Sequence, residues 1–316
     1  ERMLHSKVDI TGVETQREVV KEEKRQRIDN QPYGSILTET LGRAYTVHPY
    51  RWAPIGSLEH LNAATIEEFQ QFYKDFYVPN NATLTIAGDI DYAKTEDLVR
   101  KYFSEIPKGA KEIYRPNVTE PKKTAEVRDI VYDNIQIPAV IQAYNVPPRN
   151  HPDSYAMSML STYLTGGNSS LMTKELVDKQ QKALAVAAIP LELEDGGLFL
   201  MYGIANMGVE AKDLETEIDK LLKQVQENGI TDEDFAKLKN QIENDLVSSN
   251  STIAGVAENL AEAKVIFGDT NYINQVMDQF AKVTKADIQR VAKEYMNLDG
   301  RVVLYHLPKS AQPATE

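Results

Sequence analysis

The chain has 316 residues, a net charge of −12 and a pI near 5.1, with 42% hydrophobic and 26% charged residues. This describes an ordinary globular chain with room for about two domains, and its acidity argues against nucleic acid or an anionic membrane as the main partner. No apolar run approaches the roughly 20 residues needed to span a bilayer. Cysteine is absent, which excludes disulfides and thiolate metal sites. The opening ERMLHSKVDI has no methionine and reads as the middle of a helical stretch, so the lack of a signal peptide at residue 1 says little.

In chain order, a helix is predicted over 11–29, a helical region over 36–44 and a capped helix over 65–77. A strand at 82–89 and a helix at 93–104 follow. The proline-bearing stretch RPNVTEPKKTAE leads into strands near 127–133 and 138–145. Next come a helix at 152–164, a turn at Gly166, Gly167 and Asn168, and a helix at 169–180. Paired strands are placed near 183–189 and 197–205. Amphipathic helices then carry Leu214, Ile218, Leu221, Leu222 and Val225 on one face and Phe235, Leu238, Ile242 and Leu246 on the next. Helices at 252–266, 271–280 and 285–297 precede a last strand, 301–307. Strands and helices in segregated groups imply an α+β fold, each domain a mainly antiparallel sheet with helices packed on one side. Phe69, Phe72, Tyr73, Phe76 and Tyr77 recur at helical spacing and are expected in the core.

The segment QREVVKEEKRQRIDNQPYG (16–34) raises a chemical question. At 100° per residue, Val13, Val19 and Val20 mark one stripe, and Glu23 falls near its centre beside Gln16. A carboxylate on a buried face is costly unless paired or bound to metal. The bland partner is Arg27, one turn on, in an ion pair worth a few tenths of a kcal/mol. The run KEEKRQR otherwise reads as a solvated face, and His48 and His60 as surface or interface residues.

An internal echo bears on organisation. TIEEFQQFYKDFY (65–77) and TKADIQRVAKEYM (284–296) both open on a capping box, Thr65/Glu68 and Thr284/Asp287, and each leads into a strand. A repeat of about 220 residues follows, too long to occur twice here, so the first copy is expected to be truncated at its start. The expected division is residues 1–118 as the later part of a first domain, 119–126 as linker and 127–316 as a second, homologous domain.

The strings QREVVKEEKRQRIDNQPYG, HPYRWAPIGSLEHL (48–61), FYVPNNATLTIAGDID (76–91) and YLTGGNSSLMTKELVDKQQKALAVAA (163–188) together resemble the pitrilysin–insulinase family of zinc metallopeptidases, in its processing-peptidase-like bacterial branch. The resemblance covers nearly the whole chain in order. It implies zinc (Zn2+) held by an inverted His-x-x-Glu-His motif and a downstream glutamate, here Glu23. No His-x-x-Glu-His occurs among His5, His48, His60, His151 and His306; Glu59–His60 matches its tail, but Gly56 stands first. The chain alone is therefore expected to be inactive, with no catalytic residue of its own, its motif-bearing part lying outside it.

The resemblance also implies that Gly166, Gly167 and Asn168 cradle substrate, a helix-capping turn being the alternative. It places Leu171 and Leu184 where relatives carry a substrate-facing Arg and Tyr. A metal ligand without that pair suggests the zinc-bearing member of a homo- or heterodimer with another family subunit. The implied function is a fragment of a zinc-dependent metalloendopeptidase acting on peptides in extended form. The alternative is a non-catalytic scaffold subunit that pairs with an active one. Nucleic-acid and membrane partners are not expected, and the bacterial relatives favour the periplasm over the cytoplasm.

Overall fold

The computed structural model describes residues 2–313. The chain runs through α1 (Ile10–Lys24), α2 (Ile36–Ala44), α3 (Leu58–Ala63), α4 (Ile66–Phe76) and α5 (Tyr92–Phe103) before its first strand, β1 (Val127–Asp133). Then follow β2 (Ala139–Val146), α6 (Asp153–Thr165), β3 (Ala183–Glu192), β4 (Gly197–Ala205), α7 (Ala211–Asn228), α8 (Asp232–Ser249), α9 (Ile253–Phe267), α10 (Val276–Lys282), α11 (Lys285–Tyr295) and β5 (Arg301–Pro308). Two compact units share this chain. One comprises Glu1–Arg27, Pro54–Asn117 and Val247–Asn274, the other Ile28–Ala53, Val118–Leu246 and Gln275–Glu316. The units thus cross the divisions read from sequence, each taking in a piece from the other's expected span.

The second unit holds one sheet in the order β1-β5-β2-β4-β3. Its pairings are antiparallel except β1 with β5, which is parallel. Alternation along the strands feeds two cores. On one face Tyr144, Phe199, Met201 and Val303 join Met157 and Leu160 of α6, Leu214 and Ile218 of α7, and Ile288 and Val291 of α11. On the other, Ile141, Leu198, Val302 and Leu304 meet Leu41 and Ala44 of α2. The long helices occupy one side, and the short α2 covers part of the opposite face.

A buried charge network ties β1 and β5 to α7. Arg301, on β5, reaches Glu126 at 2.7 Å, Glu215 at 2.8 Å and Asp219 at 2.6 Å. Arg128 pairs with Glu215 at 2.7 Å, and Tyr305 donates to the same carboxylate. Burial alone would push the Glu215 carboxyl up; the hydrogen bonds from Arg128 and Tyr305 and the two guanidinium charges hold it below its ordinary value.

In the first unit the predicted helices form. The capping box of α4 closes, Thr65 with Glu68, as does that of α11, Thr284 with Asp287. Residues 82–89, however, form no strand. No strand among the described residues pairs with them, and an unpaired segment lacks the ladder that makes a strand. Leu84 is 54% and Ile86 42% exposed. The aromatic stripe of α4 is likewise not core: Phe72 and Tyr77 are exposed, and its rings lie tilted against one another, Phe72 with Phe76 at 4.7 Å and Tyr73 with Tyr77 at 5.3 Å. Among the described residues no helix is long and apolar enough to cross a membrane.

Candidate functional site

α1 starts at Asp9, whose carboxylate accepts from the Gly12 amide at 2.8 Å. Its buried side is centred on Val13 and Arg17, not on the stripe through Val19. Arg17 sets that rotation: its guanidinium donates to the carbonyls of Leu61 and, at 2.8 Å, Ala64, satisfying the C-terminal end of α3. Glu23 therefore lies to one side of the buried face, beside exposed Gln16 and Val19. Its side chain is 38% exposed and pairs with Arg27 at 3.2 Å. The bland partner is the one the structure supplies.

Directly after Glu23 the helix widens into a π-helical turn, Arg25–Asp29. Such turns are uncommon and concentrate at functional sites. A second one, Thr173–Lys179, replaces the α-helix predicted over 169–180 and follows the glycine turn.

That turn is built tightly. The Gly166 amide donates to the Thr162 carbonyl at 2.7 Å, and a Cβ on Gly166 would come within 2.5 Å of the same oxygen. Gly167 has φ +100° with open space where a Cβ would point, a backbone conformation that favours glycine. Ser170 donates to the Gly167 carbonyl at 2.7 Å, and Gln241 of α8 to the Gly166 carbonyl at 3.0 Å. Lys237, also on α8, donates to Ser169. Together with Thr162, Tyr163, Asp234 and Leu238 they line a cavity of about 20 Å³, room for one water-sized group. Burial, then the charge of Asp234, raises the Tyr163 phenol above its ordinary value. Gly167 and Asn168 are exposed and do not line that cavity.

Leu171 is half-buried and packs on the core. Leu184 is 50% exposed at a register shift on β3, where Ala183 pairs with Ala205 and Ala185 with Ile204. It is the extra residue of a bulge on the sheet's edge strand. Glu23 belongs to the first unit, and the turn, Leu171 and Leu184 to the second. Sequence reading had no means of finding Lys237 and Gln241, whose roles arise only because α8 folds against the turn.

His48 is buried, where a surface or interface position was expected. Its ring lies tilted against that of Tyr50, 4.2 Å between centroids, and its Nε2 lies 3.5 Å from Asp195. The segment it belongs to is pinned by Glu120, which accepts from the Thr46 amide and hydroxyl, both at 2.7 Å, and from the amides of Val47 at 3.0 Å and His48 at 2.9 Å. Burial would raise the Glu120 carboxyl, but these bonds outweigh it and hold the group at about 2.

Zinc, implied by the resemblance, needs at least three protein donors around one point. Among the described residues no three His, Cys, Asp or Glu side chains are placed to hold a metal ion. Glu23 alone does not make a site, and the residues present do not fit zinc by themselves.

The family model of the peptidase M16 inactive domain matches residues 63–242, more than half of the chain. The chain belongs to the M16, pitrilysin-like family of peptidases. Among M16 relatives, the zinc protease PqqE of Helicobacter pylori is 33% identical over 285 residues, covering 89% of this chain and 63% of that protein. The chain thus spans less than two thirds of that relative's length. A crystal structure of a protease from Helicobacter pylori superposes with a TM-score of 0.90 at 29% identity, covering 95% of this chain and 73% of that one. The first half of the periplasmic protease PqqL from Escherichia coli gives 0.76 at 15% identity, covering 96% of this chain and 68% of that one, a likeness of fold alone.

Proposed function

We propose that the chain is part of a zinc-dependent metalloendopeptidase, to which it contributes a second, non-catalytic domain and one candidate metal ligand, Glu23. The observation that carries this is the condition of the Glu23 carboxylate. It is partly exposed, and its ion-pair partner among the described residues is Arg27 one turn on, a link of a few tenths of a kcal/mol that a divalent ion can displace. The π-turn beside it supports the placement. Zinc would need two further protein ligands from outside the described residues, so no catalytic step is assigned to this chain. The name of the PqqE relative, a zinc protease, agrees with this reading.

The bare strand segment 82–88 and the exposed face of α4 support residues 1–118 as the later part of a first domain. The corresponding repeat in the second unit buries Ile288 and Val291 against its sheet and Val302 and Leu304 within it. On this reading 119–126 links the domains and 127–316 is the second. The turn at Gly166, Gly167 and Asn168, with Leu171 and Leu184, is the proposed contact for extended peptide, in a homo- or heterodimer with a family subunit. A periplasmic location fits the named location of the PqqL neighbour.

A second reading, a non-catalytic scaffold subunit of the same fold, is favoured by the M16 inactive-domain match. Zinc analysis of the whole protein, wild type and Glu23→Gln, separates the two. One zinc per protein, lost in the variant together with peptide hydrolysis, supports the peptidase. No stoichiometric zinc, or zinc and activity untouched by the substitution, leaves the scaffold.

A further inference from the structure

Beneath α2 the sheet of the second unit buries a histidine that the functional reading does not use. His306 on β5 lies in register with Val131 of β1 and Ala139 of β2 and is 0% exposed. Neither ring nitrogen has a hydrogen-bond partner among the described residues. Alternation puts Asp129 and Asp133 of β1 on the same face, where α2 packs through Thr40, Leu41 and Ala44. The hydroxyls of Thr40 and Ser35 and one oxygen of Asp133 are also buried without a partner.

The charges facing His306 come from two elements. On α2 they are Glu39 and Arg43, and on β1 Asp133, with β2 presenting only Ala139. Arg43 is engaged on both sides, with Glu39 at 2.5 Å and Asp129 at 2.6 Å. A neutral imidazole fits this arrangement as a polar filler. A protonated one does not: it needs acceptors, and Glu39 and Asp129 already share Arg43. The acceptors left are one oxygen of Asp133 and the hydroxyls of Thr40 and Ser35, none of which removes the Arg43 charge facing the ring, so a charged imidazole repels Arg43 and loosens the Glu39–Arg43–Asp129 contact that holds α2 to β1.

We propose that His306 is a proton-operated clasp on α2, closed when the ring is neutral and opened when a proton from water adds to its free ring nitrogen. Burial lowers the histidine below its ordinary 6.5, against the raising pull of Asp133 and Glu39. The closed state therefore resists the proton that the open state accepts. Closure is fully favoured above 6.5 and weakens as pH falls below it, by about tenfold per pH unit until the closed form itself titrates.

The test is hydrogen exchange of the α2 amides in the 316-residue chain, corrected for intrinsic rates, at about pH 7.5 and 5.5. The wild type is expected to lose about tenfold in protection at the lower pH. His306→Leu, close to the imidazole in volume and unable to titrate, is expected to change less than about twofold. Equal wild-type protection at both pH values, or the same loss in the variant, overturns the proposal. Should the variant not fold, the wild-type His306 resonance decides: a titration midpoint below 6.5 supports the clasp and one at or above 6.5 overturns it.

Discussion

Replacing Glu120 by Gln tests how a single carboxylate shapes the segment that carries His48. Glu120 accepts four hydrogen bonds from Thr46, Val47 and His48. Their effect outweighs desolvation and takes the carboxyl from 4.5 to about 2. In full that shift corresponds to about 3 kcal/mol. The group is only half-buried, so solvent screening reduces the useful part to about 1–2 kcal/mol. The neutral amide offers one acceptor and presents an NH₂ where donors converge. Amides 46–48 should therefore exchange about 5- to 30-fold faster in Glu120→Gln at neutral pH. A depressed folded-state pKa contributes stability above 4.5 that is lost as pH falls through about 2. Wild-type protection should thus decline across that window, while the variant, already weakened, should not. Unchanged exchange at neutral pH, or an equal acid decline in both proteins, would refute the argument.

Arg301→Ala leaves Asp219 without its cation and Glu215 and Glu126 with Arg128 alone, and should destabilise the second unit by about 3 kcal/mol, read from exchange of the β2 and β4 amides. In the glycine turn, Gly166→Ala meets a backbone oxygen and should cost about 1–3 kcal/mol. Gly167→Ala meets only its positive φ and should cost about 1 kcal/mol; denaturant midpoints should rank the two in that order. Glu23→Gln should shift the stability of this chain by under about 0.5 kcal/mol, since it removes only a partly exposed ion pair. A larger loss would show that the carboxylate is structural.

Helix boundaries were legible wherever the determinants were local. Thr65 with Glu68 and Thr284 with Asp287 each close within four residues, so a capping box read from sequence is also found in space. The strands of the second unit were legible because each has a partner inside the chain. The segment 82–88 is also apolar but pairs with no strand among the described residues, and there strand propensity had nothing to act on. Position on a helical wheel misled at Glu23, because a periodic stripe says which residues share a face but not which face is buried. That was settled by Arg17 reaching the carbonyls of α3.

Membership of the M16 family, the α+β character and the helix starts are properties of the linear sequence, since they rest on residue identity and on hydrogen bonds spanning a single turn. Folding alone decided that α8 brings Lys237 and Gln241 to the glycine turn, that Leu184 becomes the extra residue of an edge bulge, and that His48 and His306 lose contact with water. Burial and pairing depend on residues distant along the chain, so no local pattern encodes them. They are also what give a titratable group its chemistry, because burial holds the His306 imidazole below its ordinary 6.5.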